Sequence, residues 1–282
     1  MRFIIIGSGG CVCLPKPLCQ CRICVEARQR GGRYKRFGCS LYLEDVALLV
    51  DTPEDVAHAL NAADVRVVDR IFYTHRDPDH TLGMRVLEQL RLEWLDFYDN
   101  IPPHSPVDVY AVPAVMERLC GISIGSGAIL DYYVKMNLAN RKLIIEPFLI
   151  GNIKVTAVPV DSDKSVTIFV FEGNGRRVIY APCDCKPFPT DESMRYADLL
   201  IIGNTIIGET LKDNRVIAAD NPLRRELHSM EEVLKIRDEF SIADVIITHI
   251  EEDWGKSYDD YVALEGKYPG VKFAYDGMVV KV

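Results

Sequence analysis

The chain has 282 residues, 48% of them hydrophobic, which is enough to bury a substantial core and permits one or two domains. Its net charge of −8 argues against a general nucleic-acid or anionic-membrane surface, because backbone phosphates demand clustered lysine and arginine. No apolar run is long enough to span a membrane or serve as a signal core, so a cytoplasmic protein is expected, whose nine cysteines need a reason other than disulfides.

From the N-terminus, Arg2-Phe3-Ile4-Ile5-Ile6-Gly7 reads as a buried strand, followed by Gly7-Ser8-Gly9-Gly10 as a turn or a set of backbone amides near a phosphate. Next comes Cys19-Gln20-Cys21-Arg22-Ile23-Cys24. Three thiolates this close can wrap one ion but would be strained as disulfide partners, and sulfur ligands select zinc. One more ligand would close a tetrahedral site. Cys11, Cys13, Cys183 and Cys185 read as packed thiols by default, with metal ligation or redox chemistry as the lesser reading. The basic stretch Arg28 to Arg36 reads as a solvated helix end and loop.

Ser40 to Leu43 and Val46 to Val50 read as strands, and Pro53 to Asn61 as a helix opened by Thr52 with proline in its first position. The apolar run Val67 to Tyr73 then leads into Thr74-His75-Arg76-Asp77-Pro78-Asp79-His80. A strand ending in such a loop brings imidazoles and carboxylates to one point at a sheet edge, where a metal can be held. Gly83 to Phe97 shows helical periodicity, with Met84, Leu87, Leu90 and Leu95 on one face. Val107 to Ala111 and Val115 to Leu119 suggest a strand and a helix. Gly121 to Arg141 is either a ligand-contacting insertion or a surface loop with a helix. Leu143 to Ile145, Ile153 to Pro159, Val166 to Glu172 and Val178 to Ala181 form a run of strands, and a second strand–helix series runs from Leu199 to His249. His58 and His104 have no partner pattern. Two halves of strands followed by helices are what an α/β αββα sandwich requires, and with no linker or low-complexity run a single domain over 1–282 is expected.

In this order the segments resemble the metallo-β-lactamase superfamily, whose signature is Thr-His-x-His-x-Asp-His, with Asp77 in place of the second His. Leu48-Leu49-Val50-Asp51 resembles the strand ending in a site-supporting Asp, Asp184 follows Val178-Ile179-Tyr180-Ala181 at the place of the metal-bridging Asp, and Val245 to Thr248 leads to His249, a further ligand. Two groups in the superfamily carry a Cys-x-Cys-x-x-Cys feature: phosphoribosyl cyclic phosphodiesterases of the carbon–phosphorus lyase pathway and the B protein of pyrroloquinoline-quinone biosynthesis. The phosphodiesterases are the better match, through Cys24-Val25-Glu26-Ala27-Arg28, Tyr34 through Cys39-Ser40, and Tyr275-Asp276-Gly277-Met278. This resemblance implies a structural zinc on Cys19, Cys21, Cys24 and His228, pinning the N-terminal loop to the C-terminal half.

It also implies two mixed sheets packed face to face with helices outside, and an active centre of one or two divalent metals, about 3.5–4 Å apart when both are bound. Carried over singly, His75 and Asp77 hold the first metal, Asp79, His80 and His249 the second, and Asp184 bridges them. The family's Pro-x-x-His-x-Lys reads Pro159-Val160-Asp161-Ser162-Asp163-Lys164, so Ser162 replaces a ligand and Asp161 or Asp163 is expected to stand in. Carboxylate in place of imidazole favours harder ions, leaving manganese, zinc and iron all open. Glu251-Glu252 stand where the phosphodiesterases show Ser-His, a His implied to lie near the substrate.

The expected activity is metal-dependent hydrolysis of a small, cyclic phosphodiester by a metal-bound hydroxide, with Asp79 as the catalytic residue that orients it. The expected partner is a small phosphorylated molecule, with no nucleic acid and no membrane; a homodimer is compatible. Asp79-His80-Thr81-Leu82-Gly83-Met84 also resembles the quinone-biosynthesis B protein, which implies an iron-dependent hydroxylase as the alternative. An eroded site would instead make the chain a non-catalytic metal-binding scaffold.

Overall fold

The computed structural model describes residues 1–102, 105–125, 127–160 and 165–282; the candidates Asp161 and Asp163, with Ser162 and His104, lie outside them. Two seven-stranded mixed sheets form the centre of the fold. The first runs in the order Met278–Lys281, Arg2–Gly7, Ser40–Leu43, Leu48–Val50, Arg70–Phe72, Val107–Ala111, Ala139–Leu143. The second runs Val271–Phe273, Asp244–Ile247, Leu199–Ile202, Arg176–Ala181, Thr167–Gly173, Ile153–Pro159, Phe148–Ile150.

Side-chain alternation explains why the sheets pair. In Thr167–Gly173, Phe169 and Phe171 join the core shared with the first sheet, while Ile168 and Val170 face a second apolar layer. Val178 and Tyr180 alternate with Ile179 and Ala181 in the same way, as do Leu199 and Ile201 with Leu200 and Ile202. Phe3 meets Phe171 at 5.8 Å and Phe72 meets Phe169 at 5.1 Å between ring centroids, so aromatic rings bridge the two sheets. The outer layer of the second sheet is covered by Val233 and Ile236 of helix Met230–Glu239 and by Tyr261 of helix Tyr258–Glu265. Helix Met230–Glu239 starts with a reciprocal capping box between Ser229 and Glu232.

The expected helix over Gly83 to Phe97 is divided. Leu92 takes an extended backbone, separating Val86–Arg91 from Trp94–Tyr98. Met84 and Leu87 pack into the core, but Leu95 is 83% exposed, so the periodic face does not continue past the break. The expected strand Leu143 to Ile145 is displaced: Leu143 ends the strand Ala139–Leu143, Ile144 and Ile145 follow it outside any strand, and pairing resumes at Phe148–Ile150. The basic stretch is tied down rather than solvated throughout: Arg28 donates to the carbonyls of Cys19 and Lys16, and Arg36 is buried against Ser8 Oγ and the Ala274 carbonyl.

Candidate metal centre

Parallel pairing aligns the ends of strands from both sheets. Leu48–Val50 runs parallel to Arg70–Phe72, and Arg176–Ala181, Leu199–Ile202 and Asp244–Ile247 run parallel to one another. Asp51, the Thr74–His80 loop, Cys183-Asp184, Asn204 and His249 all follow the C-terminal ends of these strands. Four of these residues have left-handed backbone: Asp51 (φ 63°), Asp184 (φ 48°), Asn204 (φ 52°) and His249 (φ 48°). Such conformations cost roughly 1–3 kcal/mol each outside glycine and concentrate where a fold must aim particular side chains.

Asp51 organises the imidazoles. Its carboxylate accepts the Thr74 backbone N–H at 2.8 Å, the Thr74 hydroxyl at 2.7 Å and His80 Nδ1–H at 2.9 Å. Because the Thr74 hydroxyl donates to Asp51, it accepts from His75 Nδ1–H at 2.9 Å. Both rings therefore turn Nε2 inward; His75 offers a free lone pair there, whereas on His80 burial is outweighed by the Asp51 carboxylate, which holds the ring protonated well above the ordinary histidine range until a metal displaces the Nε2 proton. His75 Nε2 is buried and has no hydrogen-bond partner. His249 Nε2 lies 3.2 Å from Asp79 Oδ2 and 3.3 Å from His80 Nε2, with the His80 and His249 rings stacked.

The donor atoms form overlapping groups, each with all members within 4.8 Å of one another: His75, His80 and Cys183; His75, Asp77 and Asp184; Cys11, Asp79 and His249. Ligands on a tetrahedral ion at 2.0–2.3 Å stand about 3.3–3.8 Å apart, so these spacings suit a metal after small adjustment. Electrostatics point the same way. Burial, and then the neighbouring His80 and His249, hold His75 well below the ordinary histidine range. Burial, and then Asp184 and Asp79, push the Asp77 carboxyl up. Burial opposes charge on Asp79 too, yet the His249 hydrogen bond and the His80 charge keep it well below the usual carboxylate range. A crowd of carboxylates around an orphaned, neutral imidazole nitrogen is chemically suited to a divalent cation. Asp184 and Cys11 are exposed and Asp77 is part-exposed, so the centre opens to solvent on this side.

The cysteine triplet forms a separate cluster. Cys19, Cys21 and Cys24 surround Glu252 Oε1, with their sulfurs 3.6, 3.2 and 3.2 Å away. Lys212 pairs with the same carboxylate and holds it below the usual range against the opposing effect of burial. Three sulfurs and one carboxylate oxygen make a complete zinc ligand set. His228, the expected fourth ligand, does not join it. Its strand His228–Ser229 pairs with Thr205–Ile206, and its Nε2 donates to the Cys185 carbonyl at 3.2 Å, which fixes it beside the Cys183–Cys185 loop. Glu252 therefore stands with the thiols rather than near a substrate. The cluster links the N-terminal loop to a segment three positions after His249.

Of the sequence candidates, the structure brings together His75, Asp77, Asp79, His80, Asp184 and His249, and adds Cys183 and Cys11 to them. Metal ligation by Cys11 or Cys183 was the lesser sequence reading, beside packing, and Glu252 was legible only as a departure from the family pattern.

The sequence profile of the beta-lactamase superfamily domain matches residues 47–250. No curated protein matches the chain. Among solved structures it is similar to a diphosphatase from the PhnP family, at 18% identity and TM-score 0.70, covering 100% of this chain and 97% of that one. It is similar to zinc-bound PqqB from Methylobacterium extorquens, at 20% identity and TM-score 0.71, covering 100% of both chains. Human tRNase Z, short form, matches at 15% identity and TM-score 0.62, over 100% of this chain and 99% of that one.

Proposed function

This chain belongs to the beta-lactamase superfamily, and on that premise we propose that it is a metal-dependent hydrolase acting on a small phosphodiester. The observation that carries this reading is the convergence of His75, His80 and His249 with Asp77, Asp79 and Asp184 at one sheet edge, around the unpartnered Nε2 of His75. A divalent metal bound there supplies Lewis acidity and lowers the pKa of a coordinated water. His75, His80, His249, Asp79 and Asp184 are the residues that would hold it, with Asp77 at the open side. Asp51 orients His75 and His80 through Thr74 and a direct hydrogen bond. Asp79, kept anionic by His249 and His80, serves as a fixed acceptor that aligns a nucleophile. Arg76, exposed beside Asp77, is a cation in reach of an anionic substrate at the mouth. The triplet site with Glu252 would hold a structural zinc that anchors the loop after His249.

The test is elemental analysis of chelator-free protein for the wild type and an Asp79→Ala, His80→Ala double variant, with hydrolysis of bis-nitrophenyl phosphate and a nucleoside cyclic phosphate as readouts. The expected result is one zinc retained in both proteins, with further metal and phosphodiester hydrolysis lost in the variant. Iron in the centre with oxygen consumption would replace hydrolysis by hydroxylation. A single zinc in both proteins and no hydrolysis would leave a scaffold.

A further inference from the structure

We propose that Cys183 is a metal ligand of the active centre, so that a thiolate joins the imidazoles of His75 and His80 there. This inference rests on the reading of that centre as a metal site and names a donor that the superfamily resemblance did not supply. The Cys183 sulfur, His75 and His80 have their donor atoms mutually within 4.8 Å, and all three side chains are buried, with Cys183 at 6% and His75 at 2% exposure. The sulfur of Cys183 thus stands beside ring nitrogens of His75 and His80 and not only against apolar side chains. The independent sign of a missing partner is His75 Nε2, buried and without a hydrogen bond, with Asp77 Oδ2 3.8 Å away.

Neighbouring thiols show what an inert cysteine looks like in this fold. Cys185 donates to the Ala181 carbonyl and belongs to the outer apolar layer. Cys39 contacts the hydroxyls of Tyr180 and Thr248. Cys183 has neither arrangement. Its loop is also tightly held: a Cβ added at Gly203 would lie 1.8 Å from the Pro182 carbonyl oxygen and 2.5 Å from His249 Cβ, so Gly203 permits the 182–184 loop to press onto the His249 segment. The left-handed turn at Asp184 then sends the carboxylate outward, toward Asn204, His75 and Asp77, while Cys183 stays inside.

The chemical consequence concerns metal choice. Asp77 in place of a histidine favours a hard ion, but a buried thiolate restores soft character and selects zinc over manganese. Metal binding would displace the thiol proton, leaving sulfur as an anionic ligand.

Cadmium NMR of the full chain, loaded with cadmium at both clusters, tests this because the chemical shift reports the number of sulfur ligands at each ion. The wild type is expected to give two resonances, one far downfield from the Cys19, Cys21, Cys24 site and one at the intermediate shift of a single-sulfur site. Cys183→Ser should move the second resonance upfield and leave the first, while Cys185→Ser should move neither. A second resonance already in the nitrogen–oxygen range in the wild type overturns the Cys183 assignment and leaves the metal centre standing. Absence of any second resonance overturns both. Cys11→Ser, at the exposed thiol near Asp79 and His249, should leave the second resonance in place; if it moves upfield there instead, the sulfur is that of Cys11 and the Cys183 assignment is overturned.

Discussion

Replacing Asp51 by Asn changes one atom and should reset the tautomers of the centre. In the native site one Asp51 carboxylate oxygen accepts the Thr74 backbone N–H, and the other accepts two protons, from the Thr74 hydroxyl and from His80 Nδ1. An amide can keep its oxygen toward the Thr74 N–H, but its NH2 then faces two donors. The Thr74 hydroxyl can rotate to accept one of these protons, and His80 must accept the other at Nδ1, which moves the ring proton to Nε2. That proton sits on the atom directed at His249, 3.3 Å away, where a metal would bind. Loss of such an orienting carboxylate weakens metal affinity by about 10–100-fold, or roughly 1.4–2.7 kcal/mol. The metal-free protein should lose about 1–3 kcal/mol as well, from a buried charged acceptor that becomes imperfectly matched. Competition titration with a chromogenic chelator measures the first effect and denaturant unfolding of the stripped protein the second. A folded Asp51→Asn variant with wild-type affinity at the active centre would refute the proposed role of Asp51 in setting the His80 tautomer.

Two further outcomes follow from the same geometry. Glu252→Ala should release the zinc of the cysteine cluster to a chelator that the wild type resists, whereas His228→Ala should retain it, because Glu252 and not His228 lies among the sulfurs; equal retention in both variants would contradict this ligand set. Asp276 is buried, which pushes its carboxyl from 3.8 up to about 6 even though it accepts hydrogen bonds from Ser8 and Phe37. Between those values the unfolded carboxyl is ionised and the folded one protonated, so rising pH favours unfolding, and above about pH 6 the whole penalty is present. The stability difference between Asp276→Asn and the wild type should therefore shift in the variant's favour by up to about 3 kcal/mol from pH 4 to 7, on top of a constant cost from the amide NH2 facing a donor. A stability difference independent of pH, measured by denaturant titration across that range, would show that Asp276 is ionised in the folded protein throughout.

Local patterns carried most of what could be read from the residues alone. The strand followed by Thr74 to His80 concentrates metal-binding groups in one short loop, and Cys19 to Cys24 does the same for sulfur, so each cluster is written into a contiguous segment. The continuous apolar run that marks the strand over Val166 to Glu172 likewise depends on neighbours in sequence. The helix break at Leu92 was not legible, since apolar periodicity says which residues share a face but not where a chain will turn extended to meet its surroundings.

The remaining members of the two clusters were decided by the tertiary structure because they come from distant segments. Both His228 and Glu252 lie more than 200 residues after the thiols, and which of them arrives depends on strand pairing: Thr205–Ile206 holds His228 beside Cys185, while the turn after His249 delivers Glu252. At Cys183-Asp184 one left-handed residue directs adjacent side chains to the inside and the outside of the same loop, and each still joins a donor group with His75. Residue chemistry fixed the kind of centre this chain can build; long-range pairing and backbone sign selected which groups build it.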